Sequence, residues 1–439
     1  MSRDDYIWSD TGLDIRVIVL GLARMADAFG NSFLIVVLPL YVASGQVTGT
    51  RFGLSVELMA GLVLALFGLI SAVSQPLAGR LSDRAGRRTL FVILGLWIFA
   101  GANVSFSFVE SYVGVLGIRA VQGVAASLTI TAGVALVNEI SAFENRGGNM
   151  GVYNSLRLVG FGAGPLVAGG VMEGGPYPVP GLPGTSLTGF EATFYLAALA
   201  ALLSAVLVQI FVEDPEETMP TRERLALRIR AVSPDRILDP IFALGIVTFV
   251  MSACIALLAP IEPSVNERLG QGPFLFAVEF SALVAALAVV QPLVGSASDR
   301  VGRHTFIVAG LIGLVPGTLL QGVVTAPWQM VGARLLQGVS AAAVFAPALA
   351  LAGDLSREGQ SGAQLSVLTM AFGLGISFGQ ISAGYLIRYG FVTPFAFGAL
   401  LAAGTVFLVR SQVPEPSDGQ TSREVRPSEV TPGASSTAR

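Results

Sequence analysis

The sequence predicts an all-α polytopic membrane protein whose twelve transmembrane helices form two pseudo-symmetric six-helix bundles. Three observations lead to this fold class: an apolar composition, a series of long uncharged segments and an internal repeat. Of the 439 residues, 53% are hydrophobic and 13% are charged, whereas about a quarter of the residues in an ordinary soluble protein are charged. A soluble domain of this size needs more charge to cover its surface, so the composition excludes a soluble protein and a disordered one.

The uncharged segments have the length that a membrane-spanning helix needs. A bilayer core is about 30 Å thick and requires roughly 20 apolar residues per helix. Helices are predicted because backbone groups in lipid must pair within the segment or in a closed barrel, and the short alternating strands of a barrel are missing from the sequence. The twelve predicted helices cover residues 15–42, 57–79, 89–108, 113–137, 149–172, 190–212, 241–262, 274–295, 304–323, 328–352, 363–387 and 391–410.

The distribution of arginine predicts the orientation of these helices. With the N-terminus in the cytoplasm, the outer loops hold only Arg51, Arg268 and, at a helix end, Arg388, and the other loop arginines are cytoplasmic. This asymmetry follows the positive-inside rule. We therefore expect a multi-pass protein of the cell membrane with both termini in the cytoplasm. Its expected parts are a cytoplasmic N-terminal segment (1–14), an N-terminal bundle (15–212), a cytoplasmic linker (213–239), a C-terminal bundle (240–410) and a disordered cytoplasmic tail (411–439).

The two predicted bundles repeat each other in sequence. Residues 74–89 match residues 290–305 at an offset of 216, with ten of sixteen positions identical. Residues 118–127 match 333–342 at an offset of 215. Two six-helix halves related by an axis along the membrane normal are typical of secondary transporters, whose substrate site lies between the halves near the midplane.

A charged loop is predicted inside each repeat, between its second and third helices. Its glycines would allow close approach of neighbouring chain, and its arginines would hold it at the cytoplasmic surface. The simpler alternative is that these charges only set the topology. The residues of the two loops are Gly79, Asp83, Arg84, Gly86 and Arg87, and Gly295, Asp299, Arg300, Gly302 and Arg303.

The pattern G-x-L-x-D-R-x-G-R-R at residues 79–88 resembles the signature loop of the major facilitator superfamily. Together with the second copy and the six-plus-six layout, the resemblance covers nearly the whole chain and implies the major facilitator fold. It also implies that these loops gate the cytoplasmic side, with Asp83 helping to lock the halves together when the transporter faces outward. The second copy has Ala297 in place of the family's leucine, which implies a weaker lock.

An arginine lies about seven residues inside the outer end of the fourth predicted helix. Arg119 and Gln122 share one helix face, and Arg334 and Gln337 repeat them in the tenth helix. A charge near mid-membrane costs about 2.5–3.5 kcal/mol on insertion scales, so it must face a cavity or a partner. The pattern resembles the R-x-x-Q-G motif of proton-coupled facilitators, which implies that Arg119 tunes a nearby carboxylate. The alternative is an arginine bound to backbone carbonyls.

The fifth predicted helix contains a series of small residues around one proline. Small residues let helices pack closely, and a proline bends a helix. The series resembles the helix-5 signature of drug:proton antiporters within the superfamily, although Ala168 replaces a glycine that is usual there. General helix packing is the alternative explanation. The residues are Gly151, Gly160, Gly164, Pro165, Gly169 and Gly170.

Ionisable residues inside the apolar segments are the candidates for proton coupling. Arg24, Asp27 and Asn31 form one polar stripe on the first helix, and Asn154 and Arg157 lie one turn before the glycine series. Asp27 is either the coupling carboxylate or half of a static ion pair with Arg24. A sixth residue, Glu279 in the eighth helix, is either a second proton carrier or a side chain that reaches to the interface.

The sequence therefore predicts a secondary transporter that exports small amphipathic or drug-like molecules in exchange for protons. Proton-coupled or facilitated uptake of a sugar or organic acid remains open, and a membrane enzyme or sensor is the remote alternative. A phosphate-binding loop is not found, and the single His and single Cys exclude a zinc cluster. We expect no enzymatic activity and no cofactor. The expected partners are the lipid bilayer, a small-molecule substrate and protons, with no nucleic acid because the net charge is -3, and the protein is expected to be a monomer.

Overall fold

The computed structural model describes residues 15–141, 145–179, 181, 184–214, 229–230, 237–355 and 361–413. Within them, twelve spans are long and apolar enough to cross a membrane, which confirms the predicted all-α fold class. The helices are α1 (Ile15–Ala43), α2 (Val56–Ala85), α3 (Arg88–Ser105), α4 (Tyr112–Ile140), α5 (Arg146–Gly174), α6 (Gly189–Phe211), α7 (Pro240–Ala256), α8 (Glu262–Leu269), α9 (Pro273–Val301), α10 (Arg303–Leu319), α11 (Pro327–Asp354), α12 (Ser361–Leu386) and α13 (Thr393–Gln412).

Outside the helices, the long connection between α5 and α6 contains a short antiparallel hairpin of β1 (Tyr177–Pro178) and β2 (Ser186–Leu187). The predicted N-terminal segment, most of the predicted linker and the predicted tail after residue 413 lie outside the described residues.

Side-chain caps fix where several helices begin. Ser55 accepts a hydrogen bond from a backbone N–H of the first turn of α2 at 3.2 Å, and Ser111 does the same for α4 at 3.2 Å. Before α6, Thr188 and Glu191 form a reciprocal capping box. Such caps satisfy backbone donors that have no partner inside the helix, so local sequence sets these boundaries.

The predicted loops around the repeated motif are mostly helical, which corrects that part of the prediction. Both α2 and α9 extend through the motif, so Asp83 and Asp299 lie in their last helical turns. No helix breaker interrupts these residues before the glycines. Gly86 ends α2 with a φ of 61° and Gly302 ends α9 with a φ of 113°, backbone conformations that glycine adopts without a Cβ clash.

The seventh span is interrupted, and the prediction of one continuous helix over 241–262 is wrong in this respect. The helix α7 ends at Ala256, a 3-10 turn covers Ala259–Ile261, and α8 resumes at Glu262. Pro260 has no N–H to donate to a carbonyl of the preceding turn, which explains why α7 stops. The interrupted segment contacts α1 and α2, so it lies against the first bundle.

The two bundles repeat each other in three dimensions, as the sequence match predicts. We call α1–α6 the N-terminal half and α7–α13 the C-terminal half. A Cβ on Gly160 of α5 would lie 2.1 Å from the carbonyl oxygen of Met25 in α1. A Cβ on its counterpart Gly375 of α12 would lie 2.2 Å from the carbonyl oxygen of Phe249 in α7. The same glycine therefore joins equivalent helices in each half.

The halves pack together at one end of the molecule. We call the end where α2 meets α3 the motif end, and the opposite end the far end. Across the halves, Ser281 donates to the carbonyl of Gly162 at 2.7 Å and Ser377 to that of Ala65 at 3.2 Å. The described apolar core forms four clusters, of which one contains residues of both halves, and that one lies at the far end. The far end is therefore closed in this structure.

Candidate functional site

The polar stripe of α1 lies at the middle level of the N-terminal half. Arg24 donates a hydrogen bond from Nη1 to Oδ2 of Asp27 and forms an ion pair with it. Asp27 is 4% exposed. One turn further along α1, the side-chain oxygen of Asn31 is buried without a hydrogen-bond partner. The stripe therefore combines a buried ion pair with an unsatisfied amide in an otherwise apolar helix.

Helix α5 adds a second arginine beside this ion pair. Arg157 interacts electrostatically with both Arg24 and Asp27, and the buried Tyr153 lies in the same group. Asn154 is exposed. We call Arg24, Asp27 and Arg157 the mid-level cluster. It holds two cations and one carboxylate, so it carries an excess positive charge when all three side chains are ionised.

The helix-5 glycines bring the backbones of α5 and α1 together beside the mid-level cluster. In addition to Gly160, a Cβ on Gly164 would lie 2.7 Å from a carbonyl oxygen of α1. Gly169 packs instead against α9 of the other half, where a Cβ would lie 2.8 Å from the backbone of Phe274. Gly170 is more loosely placed, with the nearest atom 3.9 Å away, and Gly151 has no atom within 4 Å. Close packing therefore explains three of these glycines.

Two further members of the series lie inside α5. Pro165 follows Gly164 within the helix, and Ala168 is completely buried. Alanine fits there because its methyl group is small, which agrees with the packing role expected of that position.

Arg119 of α4 is bound by neighbouring groups in this conformation and does not pair with a carboxylate. Its Nε donates to the carbonyl of Val63 at 3.0 Å, and its Nη2 to that of Leu64 at 3.4 Å. Its Nη1 donates to Gln122 at 2.9 Å, and the Gln122 amide donates to Asn103 at 3.0 Å. The alternative of an arginine bound to backbone carbonyls describes this state.

Arg334 of α11 repeats only part of this arrangement. Its Nη1 donates to the carbonyl of Ile255 at 3.1 Å and to Gln337 at 2.7 Å. Gln337 donates in turn to the carbonyl of Cys254 and to Thr318, both at 3.1 Å. The Nε and Nη2 atoms of Arg334 are buried without a hydrogen-bond partner among the described residues. The second arginine therefore has donor capacity that the first has used.

Glu279 explains the difference between the two arginines. At the offset of 216 residues, Glu279 of α9 corresponds to Val63 of α2. It is completely buried and interacts electrostatically with Arg334. Since its side chain is buried, it does not extend to the membrane surface in this structure.

Sequence reasoning missed a second buried carboxylate near Glu279. Glu262 is 0% exposed and interacts electrostatically with Glu279. We call Glu262, Glu279 and Arg334 the far-end cluster. Glu262 was overlooked because it marks the end of the predicted helix 241–262, where a carboxylate is ordinarily solvated. Pro260 and Pro263 on either side were the available signal that the chain continues differently there.

At the motif end, Asp83 takes part in an ionic cluster within its own half. Arg88 donates from Nη1 to Asp83 at 2.7 Å and pairs through Nη2 with Glu139 of α4 at 2.6 Å. Beside it, the backbone N–H and hydroxyl of Thr89 donate to Asp214 at 2.8 and 2.9 Å. The cluster therefore ties α2, α3, α4 and the end of α6 together. Sequence reasoning named Asp83 but missed Arg88 and Glu139.

The second motif forms a more exposed version of the same cluster. Arg303 pairs with Asp299 at 3.0 Å and also with Asp354 of α11. Asp354 corresponds to Glu139 at the offset of 215, so the repeat contained a signal for both acids. The side chain of Arg88 is 2% exposed and that of Arg303 is 21% exposed. The first cluster is therefore the more protected from water.

The other residues of the two motifs have varied surroundings. A Cβ on Gly79 would lie 3.2 Å from Thr131 of α4, so this glycine does allow a close helix contact, whereas Gly295 has no atom within 4 Å. The exposed arginines of the motifs are Arg84, Arg87 and Arg300. In the described part of the chain, no group of three or more His, Cys, Asp or Glu side chains is placed to hold a metal ion.

Sequence comparison places this geometry among known transporters. A model of the Major Facilitator Superfamily matches residues 20–244 and 244–438. The chain is 24% identical over 202 residues to an uncharacterized MFS-type transporter of Methanocaldococcus jannaschii, covering 46% of this chain and 47% of that protein. It is 27% identical over 163 residues to citrate exporter 1 of Aspergillus niger (37% and 28%), and 24% identical over 189 residues to the quinolone resistance protein NorA of Staphylococcus aureus (43% of each). The matches span less than half the length of these curated relatives.

Solved structures show the same fold over almost the whole chain. A bacterial homologue of the human lysosomal transporter Spinster, in an inward-facing and unoccupied conformation, superimposes with a TM-score of 0.71 at 14% identity, covering 92% of this chain and 96% of that one. The human organic anion transporter MFSD10 (TETRAN) gives a TM-score of 0.62 at 20% identity, covering 90% and 98%. Twelve spans, two repeated halves and family matches along nearly the whole sequence lead to one conclusion: the chain belongs to the Major Facilitator Superfamily of membrane transporters.

Proposed function

We propose that this protein is a proton-driven secondary transporter of the cell membrane that exports small amphipathic or hydrophobic molecules by alternating access. In this proposal the motif end and both termini face the cytoplasm, following the arginine asymmetry of the loops. The observation that carries the proposal is the mid-level cluster, where a buried ion pair between Arg24 and Asp27 lies beside a second arginine.

The mechanism follows from the chemistry of this ion pair. A proton that binds the Asp27 carboxylate neutralises it and breaks its ion pair with Arg24. The arginine then loses its partner inside an apolar helix, so its contacts with α5 must change. Release of the proton restores the pair. Moving one charge through 100 mV supplies about 2.3 kcal/mol, which is enough to drive such a cycle against a modest substrate gradient.

Two kinds of observation support export. The glycine series that fastens α5 to α1 resembles the helix-5 signature of drug:proton antiporters, and two of its glycines contact the backbone of α1 near Asp27. Two of the relatives, citrate exporter 1 and the quinolone resistance protein NorA, are named for export or resistance.

The test replaces the coupling carboxylate by its neutral isostere. The purified full chain is reconstituted into proteoliposomes, and transport of a fluorescent amphipathic dye is measured under an imposed pH gradient. We expect Asp27→Asn to abolish proton-coupled transport while membrane insertion and thermal stability stay intact. Glu110→Gln, at an exposed carboxylate of the far end, is the matched control and should transport like the wild type. Wild-type transport by Asp27→Asn would remove Asp27 from the mechanism.

The charge of the mid-level cluster favours a second candidate substrate class. Two arginines face one carboxylate, and an excess cation in a low-dielectric cavity attracts an anion. The second candidate is therefore transport of a small organic acid, in either direction.

Vesicles of both orientations separate these candidates. Dye and citrate are offered to inside-out and right-side-out vesicles with the same pH gradient. Accumulation of dye in inside-out vesicles supports drug export, and accumulation of citrate there supports organic acid export. Citrate accumulation confined to right-side-out vesicles, driven by inward proton flow, would show uptake instead.

A further inference from the structure

Glu262 occupies an unusual place in the fold. It is the first residue of α8, directly after the interruption of the seventh span. The side chain is 0% exposed, and neither carboxylate oxygen makes a well-formed hydrogen bond to a described residue. Asn266, one turn along α8, is the polar side chain beside it. A buried carboxylate in such a setting is costly when it is ionised.

The repeat shows that this position is part of the apolar core in the other half. Gly160 and Gly375 pack against Met25 and Phe249, which are 224 residues apart. The glycines one turn further along pack against Phe29 and Ala253, again 224 residues apart. At this offset Glu262 corresponds to a leucine, residue 38 of α1, which is completely buried. A carboxylate in a leucine's place is therefore not required by the packing of the fold.

The charges around Glu262 do not neutralise it. From α9, Glu279 faces it with a like charge. From α11, Arg334 interacts with Glu279, so the one buried cation of the far-end cluster serves that carboxylate. The side chains of α1 between Asp27 and the far end carry no charge.

The remaining charged groups near this segment lie at its surface. On α8, Glu267 is exposed, and Arg268 donates to the carbonyl of Val324 and stacks over Phe391. The 3-10 turn that precedes α8 also packs against α2 and α12. On α2, the charge nearest the far end is Glu57, which is partly exposed, and α12 is uncharged from residue 367 to its end. No cation among these described groups is placed to compensate Glu262.

We propose that Glu262 is a second proton-binding site, which holds a proton while the far end is closed and releases it when the far end opens. The inference rests on the proposed proton-driven function. Its physical basis is that the segment around Glu262 packs against α1 and α2, so separation of the halves exposes this carboxylate to water. Water then solvates the ionised form, whereas the closed far end accepts only the neutral form. Protonation of one side chain is thereby linked to the closing of a gate.

The test measures the gate directly and needs no substrate. In a Cys254→Ser background, spin labels are placed across the far end at Phe108 and Trp328, which are 74% and 73% exposed. A second pair at Leu81 and Val301 reports the motif end. Distances are measured by pulsed electron resonance in proteoliposomes, in mildly acidic and mildly alkaline buffer. In the wild type, we expect the far-end distance to increase as the pH rises and the motif-end distance to decrease.

The variants assign this shift to one side chain. Glu262→Gln carries a permanently neutral group, so we expect a closed far end at every pH. Glu262→Leu, which copies the residue of the other half, should behave in the same way and provides a second folded variant if glutamine is not tolerated. Glu267→Gln, on the same helix but exposed, is the matched control and should keep the wild-type shift.

Two outcomes would overturn the inference. The first is a wild-type protein whose far-end distance does not depend on pH, and the second is a Glu262 variant that keeps the full shift. The variant Asp27→Asn distinguishes failure of this inference from failure of the proposed function. If the shift persists in that variant while transport is lost, both stand. If transport remains proton-coupled in Asp27→Asn, the proposed role of Asp27 fails even though the Glu262 gate is retained.

Discussion

At the scale of single residues, the two repeated arginines show how one motif acquires two roles. Arg119 uses Nε, Nη1 and Nη2 to bind three acceptors. Arg334 occupies the matching position but leaves Nε and Nη2 without hydrogen bonds and interacts with Glu279. The substitution of Val63 by Glu279 between the halves accounts for the change. The first arginine therefore joins helices, whereas the second balances a buried charge.

The variant Arg119→Lys tests this distinction. A lysine ammonium cannot reproduce the planar fork that reaches two carbonyls and Gln122, so buried acceptors lose partners. We expect destabilisation of about 1–3 kcal/mol, measured by thermal unfolding in detergent. Arg334→Lys is the control, since it keeps the charge beside Glu279 and loses fewer hydrogen bonds. Equal destabilisation by the two variants would contradict the assignment.

The buried arginine of the first motif is a second residue-scale case. Arg88 bridges Asp83 and Glu139, whereas its neighbour Arg87 is exposed. Breaking a buried ion pair by removing one partner costs about 3–5 kcal/mol. We therefore expect Arg88→Gln to lower the midpoint of thermal unfolding strongly and Arg87→Gln to lower it little. The reverse order would mean that the cluster at the motif end does not stabilise the fold.

The sequence motif identified this region but not its central residue. Position 88 of the motif is an arginine like its neighbour, and letters alone do not say which of the two points inward. The direction depends on where α3 begins, and α3 begins at Arg88 because Gly86 ends α2 in a left-handed turn. A shift of one residue at that turn would exchange the two arginines.

At the scale of helices, hydropathy predicted the number of spans and most of their ends, because lipid imposes one length and one backbone solution on each. It could not predict the interruption of the seventh span. Both sides of the break are apolar enough to remain in the membrane, so the hydropathy signal is continuous. The break depends instead on Pro260 and on neighbouring helices that accommodate the irregular turn. Glu262 was missed for the same reason.

Helix packing around α5 provides a prediction at this scale. A Cβ on Gly160 would lie 2.1 Å from a carbonyl oxygen of α1, so Gly160→Ala must push α5 and α1 apart. We expect this variant to lose about 1–3 kcal/mol of stability and most of its transport activity. Gly151→Ala, at a glycine of the same series with open space around it, should be neutral or stabilise the helix by up to about 1 kcal/mol. Thermal unfolding and proteoliposome transport measure both effects, and equal losses would refute the packing role.

At the scale of the whole molecule, the sequence repeat predicted two related halves but not which end they close. Both ends of each half are built from similar apolar helices. The closed end is selected by contacts between residues that are far apart in the chain, such as Ser281 with Gly162 and Ser377 with Ala65. The carboxylates of the two halves also differ, since the N-terminal half holds Asp27 at mid-level and the C-terminal half holds its acids near the far end. The symmetry of the fold is therefore not shared by its charges.

Chemical cross-linking tests the closed far end as a property of the whole molecule. Gly170 and Phe274 belong to different halves, lie close together and are accessible, with a Cβ on Gly170 3.9 Å from the Phe274 ring. In a Cys254→Ser background, cysteines at these two positions should be joined readily by a short, reducible bifunctional thiol reagent in the absence of substrate. The tie should abolish transport, and reduction should restore it, because the halves must separate there in each cycle. Cysteines at Leu81 and Val301 are the motif-end control and should react with the same reagent more slowly in the resting protein. If the motif-end pair is joined faster, the resting transporter is closed at the motif end, and the far-end contacts described above belong to a minor state.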